Sequence, residues 1–148
     1  MGAAILLQSL RAEPRFQAIV AECPFSAFEN IAQYRLSQMT GLGPLAVRPC
    51  MRLAFLYVSL RFGVDLRQAS PADVVRTTRV PILLIHGEQD TNIPPSHSMM
   101  LHALNPTATR LWLVPNTRHV EAIVTHPAEY AELVVAWFSP DGSRAEFP

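Results

Sequence analysis

The stretch Val80 to Asp90, VPILLIHGEQD, decides the fold of this chain. Its apolar residues follow one another without polar alternation as far as Ile85, which is typical of a strand covered by helices on both faces. His86 and Gly87 then end the run. Asp90 falls just beyond the carboxyl end of the predicted strand, where open α/β sheets place their functional groups. We therefore predict a central parallel strand with a functional carboxylate behind it.

Strand and helix patterns alternate along the rest of the chain. The predicted strands are 16–21, 80–85 and 109–114, and the predicted helices are 2–10, 27–39, 49–62, 70–76, 94–104 and 126–138. The last helix has the clearest pattern, because its apolar residues recur at i, i+3, i+4, i+7 and i+8. Ser70 before Pro71 predicts a hydroxyl-capped helix start, and residues 139–148 are expected to fray. The alternation predicts the α/β class: a parallel sheet flanked by helices and joined by right-handed crossovers.

Length and composition limit the classes of protein. With 148 residues, of which 49% are hydrophobic and 16% charged, the chain can bury one core and forms one domain or part of one. Its 12 basic and 12 acidic residues are scattered, so we expect neither nucleic acid nor a membrane as a partner. The uncharged segment 53–60 is far shorter than the roughly 20 residues of a membrane span. Without a visible secretory signal, the cytoplasm is the expected location.

The cysteines and most histidines do not form a recognisable metal pattern. Cys23 and Cys50 lack the C-x-x-C spacing, so we predict reduced packing residues rather than a zinc site or a disulfide. The histidines without the shared-face spacing of a metal site are His97, His102 and His126. We therefore predict no bound metal.

His119 follows the third predicted strand in the same way that Asp90 follows the second. If these strands are neighbours, both side chains emerge at one edge of the sheet. A carboxylate there holds a neutral imidazole in one tautomer and stabilises the imidazolium that forms when the ring takes a proton. The placement predicts an acid–base pair. The alternatives are a turn aspartate and a surface-loop histidine without chemistry.

The segment ILLIHGEQDTNIPP, followed by a helix, a strand and His119 before a terminal helix, resembles the C-terminal half of the α/β-hydrolase fold. Within that fold it looks most like the dienelactone-hydrolase and prolyl-oligopeptidase-like or serine-aminopeptidase-like branches, over Met1 to about Phe138. The triad order there is Ser, Asp or Glu, then His, with the serine in a G-x-S-x-G elbow. The resemblance implies that Asp90 is the acid, His119 the general base, and Met1-Gly2 the end of the elbow. The nucleophilic serine would stand immediately before Met1. Unlike many family members, this chain has no glycine just before His119.

The resemblance also implies how the rest of the site is built. The backbone N–H of Met1 would be one donor of the oxyanion hole. Residues 27–66 would form a helical lid over an acyl or peptide pocket, and Ser26, behind the first strand, would line that pocket unless it is only a turn residue. The lid side chains expected to shape the pocket are Leu53, Phe55, Leu56 and Tyr57. No metal or organic cofactor is implied.

These expectations lead to two hypotheses for function. The first is the C-terminal portion of a serine hydrolase that acts on a small-molecule ester or a peptide. This portion is expected to be inactive alone, and poorly soluble or dimeric through the unpaired edge of strand 16–21. The second is a non-catalytic α/β module that binds a small ligand or partner at the same edge. A nucleotide-binding or flavodoxin-like domain is disfavoured, because no glycine-rich phosphate loop follows a predicted strand.

Overall fold

The structure, a computed structural model, describes residues 1–13 and 15–139. Within these residues the strands β1 (Ile19–Glu22), β2 (Ile82–Gly87) and β3 (Thr109–Val114) form a parallel sheet in the order β1-β2-β3. The helices are α1 (Gly2–Ser9), α2 (Phe28–Thr40), α3 (Pro44–Phe62), α4 (Pro71–Val75), α5 (Ser96–Leu104), α6 (Ala122–Thr125) and α7 (Pro127–Phe138), with a 3-10 turn at Leu66–Gln68. The predicted α/β class, a parallel sheet flanked by helices, is confirmed.

The central strand β2 is buried along its whole length. Ile82 and Leu84 pack on one face of the sheet, in a core shared with α1, α4 and α5. Leu83 and Ile85 pack on the other face, in a core shared with α6 and α7. Each of these four side chains is fully buried, which contributes about 1.5–3 kcal/mol per side chain. The uninterrupted apolar run in the sequence therefore reflects a strand with a core on each face.

The observed boundaries correct several predicted ones. β3 covers the predicted residues, but β1 begins at Ile19 rather than at residue 16. The N–H of Ile19 donates to the carbonyl of Pro81, and Pro81 has no N–H of its own with which to extend the ladder towards residue 16. Ser70 precedes α4 as predicted, yet its side chain makes no capping hydrogen bond. Because Pro71 also lacks an N–H, this helix start has one donor fewer to satisfy.

The segment predicted as a lid is helical, and its second helix is longer than the sequence suggested. α3 begins at Pro44 instead of Pro49, since a proline in the first helical position is already set for helix geometry. Only Val47 and Met51 of its 19 residues are buried. The function of this segment as a lid stays a prediction.

The two cysteines differ from each other. Cys23 is buried, as predicted, but Cys50 is exposed on α3, so the expectation that it packs inside the protein is wrong. Residues 140–148 of the predicted frayed tail lie outside the described residues. None of the helices that the structure describes combines the length and apolar character needed to cross a membrane.

Candidate active site

The structure brings Asp90 and His119 into contact beyond the carboxyl ends of the neighbouring strands β2 and β3. Oδ2 of Asp90 lies 2.6 Å from Nδ1 of His119. The Asp90 side chain is fully buried, whereas 28% of the His119 side chain is exposed. A buried acid that binds one nitrogen of a partly exposed imidazole leaves Nε2 as the nitrogen that can exchange a proton.

The carboxylate of Asp90 is held by a tight turn. Its Oδ1 accepts hydrogen bonds from the backbone N–H groups of Asn92 and Ile93, at 2.8 and 2.9 Å. Burial by itself would raise the pKa of Asp90. The Ile93 N–H, the His119 ring and the Cys23 thiol outweigh burial and hold that pKa below its ordinary value. Asp90 is therefore a charged, firmly oriented acceptor at neutral pH.

Gly87 allows the loop that carries His119 to approach the end of β2. The N–H of Gln89 donates to the carbonyl of Thr117 at 2.9 Å. A Cβ atom at Gly87 would lie 2.6 Å from the carbonyl oxygen of Arg118 and would also collide with the carbonyl of Thr117. The chain needs glycine here because the two backbone segments touch.

Backbone strain concentrates around this pair. Among the described non-glycine residues, those with positive φ are Cys23 at 47°, Asn116 at 52° and Val120 at 59°. Asparagine adopts this left-handed region readily, whereas a β-branched valine does not. Val120 directly follows His119, so the strained position lies next to the acid–base pair. Strain of this kind costs on the order of 1–3 kcal/mol per residue and is often found at functional sites.

Cys23 lies beside the pair and completes a cluster of three potential metal ligands. One ligand atom from each of Cys23, Asp90 and His119 lies within 4.8 Å of the others, and thiol, carboxylate and imidazole are all groups that zinc accepts. However, the facing atoms of Asp90 and His119 are already joined by a hydrogen bond. Burial raises the pKa of the Cys23 thiol to about 12, so the thiolate that a metal needs is unfavourable. The arrangement fits an acid–base pair better than a metal centre.

A cavity of about 420 Å³ opens beside His119, and its wall is mostly apolar. Its lining residues include Met1, Phe25, Phe28, Ile31, Ile93 and His119. Sequence reasoning named Met1 and His119 but missed the four apolar residues. A signal was present for two of them, since Phe25 follows the end of the first strand and Ile93 belongs to the turn after Asp90. The others required knowledge of how α2 packs.

The other residues predicted to contact substrate lie elsewhere. Phe55 lines a neighbouring cavity of about 450 Å³ between α2 and α3, and its ring stacks on Phe28 with centroids 5.9 Å apart. Tyr57 is 62% exposed and packs edge-on against Phe62. The expectation that Ser26 lines the pocket does not fit the structure, because this side chain is fully buried. Its Oγ lies 2.9 Å from Nδ1 of His97 on α5.

The sequence profile of the prolyl oligopeptidase family matches residues 2–140, and the chain belongs to this family. The uncharacterized protein YqkD of Bacillus subtilis is 28% identical over 115 residues, which are 78% of this chain and 37% of YqkD. The esterase Pf2001 of Pyrococcus furiosus superposes with a TM-score of 0.63 at 17% identity, covering 91% of this chain and 49% of the esterase.

The α/β hydrolase MGS-MChE2, from a sediment metagenome of the Mar Chica lagoon in Morocco, gives a TM-score of 0.60 at 21% identity, over 93% of this chain and 57% of the enzyme. The fold is therefore that of the α/β hydrolases. The chain spans little more than a third of YqkD and about half of these solved hydrolases.

Proposed function

We propose that this chain supplies the general base and its orienting acid to a serine hydrolase that cleaves ester or amide bonds. The observation that carries the proposal is the 2.6 Å hydrogen bond between Asp90 and His119 beside an apolar cavity. In such an enzyme, Nε2 of His119 takes the proton of the serine hydroxyl as its oxygen attacks the carbonyl carbon. The imidazolium then returns that proton to the leaving oxygen or nitrogen, while Asp90 stabilises the charged ring. In the second half of the reaction the same ring takes a proton from a water molecule, which attacks the acyl group and releases it from the serine.

The nucleophilic serine, in this proposal, stands immediately before Met1 in a longer protein. Met1 and His119 line the same cavity, and α1 begins at Gly2, as the helix after a nucleophile elbow should. The N–H of Met1 would then donate to the oxyanion. Cys23 is a poor substitute for the serine, because it is buried and its thiol has a pKa of about 12.

The cavity beside His119 suggests the kind of substrate. Arg35 and Asn92 are among the lining residues, but most of the wall is apolar, so the cavity fits an acyl chain or an apolar peptide side chain. We propose that the substrate is a small ester or peptide with an apolar group next to the scissile carbonyl.

Fluorophosphonate labelling tests the proposed function. The coding sequence upstream of Met1 should continue in frame with G-x-S, and the extended protein should react stoichiometrically with the probe. His119→Ala should abolish that labelling, and residues 1–148 alone should not react. Labelling of residues 1–148 alone would contradict the proposal. So would an upstream stop codon together with ligand binding and no turnover, which would favour the non-catalytic module.

A further inference from the structure

His86 lies at the end of β2 with its side chain fully buried, and both of its ring nitrogens have partners. Nε2 lies 2.8 Å from the carbonyl oxygen of Ile93, and Nδ1 lies 2.6 Å from Oγ of Ser98. A carbonyl oxygen only accepts hydrogen bonds, so Nε2 must carry the proton. Nδ1 then accepts from the Ser98 hydroxyl, and the two contacts together fix one tautomer of the ring.

The same Nε2 lies 3.3 Å from Oδ2 of Asp90, the oxygen that contacts His119. Desolvation by burial lowers the pKa of His86, so the ring is a neutral donor at neutral pH. His86 therefore faces both ends of the turn that holds the acid. It binds the carbonyl of Ile93, whose own N–H donates to Oδ1 of Asp90, and it approaches Oδ2 directly.

We propose that His86, held in one tautomer by Ser98, is a positioning residue that keeps the Asp90 carboxylate directed at His119. This inference rests on the proposed function, because it concerns the acid of the same pair. His86 does not touch the reacting atoms. It fixes the turn from Asp90 to Ile93, and through that turn it fixes the length of the Asp90–His119 hydrogen bond.

A purely structural role would predict something different. A buried histidine whose hydrogen bonds merely satisfy the core affects stability when it is replaced, but it leaves the electronic state of the carboxylate unchanged. A positioning role predicts that loss of the Nε2–H donor makes Asp90 easier to protonate and weakens its hydrogen bond to His119.

The test measures two signals by NMR on residues 1–148: the carboxyl ¹³C titration of Asp90 and the low-field Nδ1 proton resonance of His119. His86→Leu should raise the pKa of Asp90 by about 1 and move the His119 proton upfield or broaden it away. His86→Gln, which keeps an N–H donor, should restore part of both signals. Ser98→Ala removes only the hydroxyl that fixes the tautomer and should cause a smaller change in the same direction.

His102→Leu is the matched control. Like His86, His102 has a hydroxyl partner at Nδ1, here Oγ1 of Thr109 at 2.8 Å, but Thr109 lies at the start of β3, at the end of the strand opposite to the acid–base pair. This variant should leave both signals unchanged. The inference is overturned if folded His86→Leu keeps the wild-type Asp90 titration and His119 resonance. If His86→Leu does not fold, unchanged signals in Ser98→Ala overturn it instead.

These measurements need no turnover, so they separate the inference from the proposed function. Asp90→Asn should remove the low-field resonance whatever reaction the protein performs. If the extended protein fails to label while His86→Leu still shifts both signals, the positioning role stands and the hydrolase proposal falls.

Discussion

The carboxyl edge of the sheet and the helical segment after β1 differ in how much of their surface is buried. At the sheet edge, all six residues of β2 are buried, and the Asp90 carboxylate accepts hydrogen bonds at both oxygens. In the helical segment, α3 buries two of its 19 residues and leaves Leu53, Leu56 and Leu60 more than half exposed. The acid–base pair is therefore held by contacts within this chain, whereas these three leucines of α3 remain largely exposed.

Truncation of a core leucine in β2 should destabilise the protein far more than truncation of an exposed leucine in the helical segment. Leu84→Ala removes a fully buried side chain from β2 and should lower the free energy of unfolding by about 3 kcal/mol. Leu53→Ala, at a position 66% exposed on α3, should change it by less than about 0.5 kcal/mol. Urea denaturation of both variants checks the contrast, and equal losses would contradict it.

A methyl group at Gly87 should disturb the site more directly. Gly87→Ala forces the carbonyls of Thr117 and Arg118 away and should cost about 2–3 kcal/mol of stability. It should also weaken the His119 proton resonance, because the loop carries that ring. Gly43→Ala is the control, since a Cβ there meets no described atom within 4 Å. An undisturbed resonance in Gly87→Ala would show that the close approach is not required.

Acid should destabilise the protein through two buried histidines, His86 and His97. Burial lowers the pKa of both His86 and His97 from the ordinary value of 6.5. The unfolded chain therefore binds more protons than the folded one below pH 6.5, and stability that is present above this pH is lost as the pH falls towards the folded-state values. Urea midpoints measured from pH 7.5 down to pH 5 should decrease. His97→Gln should show a shallower decrease, and an identical slope would exclude His97 as a contributor.

The smallest expected effect concerns the interface through which this chain would self-associate. We propose that residues 1–148 self-associate through β1, which pairs only with β2 among the described residues. Leu60→Glu, at a position 79% exposed on α3, should change neither stability nor the dimer fraction in sedimentation. Loss of the dimer in Leu60→Glu would assign the interface to the α3 face instead.

Local pattern predicted some features well and others poorly. The apolar run before His86 predicted β2 and the core on each of its faces. A strand that is packed on both faces needs apolar side chains on both, so its residues do not alternate between apolar and polar. Asp90 and His119 could be paired from their positions alone, since the carboxyl ends of neighbouring parallel strands share one edge. By contrast, the sequence places Ser26 and Phe55 at the substrate pocket. In the structure Ser26 is paired with the buried His97, and Phe55 lines a separate cavity.

The sequence by itself determined the parallel sheet, its doubly covered central strand and the acid and base behind adjacent strands, because these follow from short-range periodicity and chain direction. Only the tertiary structure decided which side chains surround the pair. Phe25, Phe28 and Ile93 come from separate segments, and His86 reaches Asp90 only because the turn after β2 folds back over it. Such contacts depend on the packing of whole elements against one another, which no local pattern encodes.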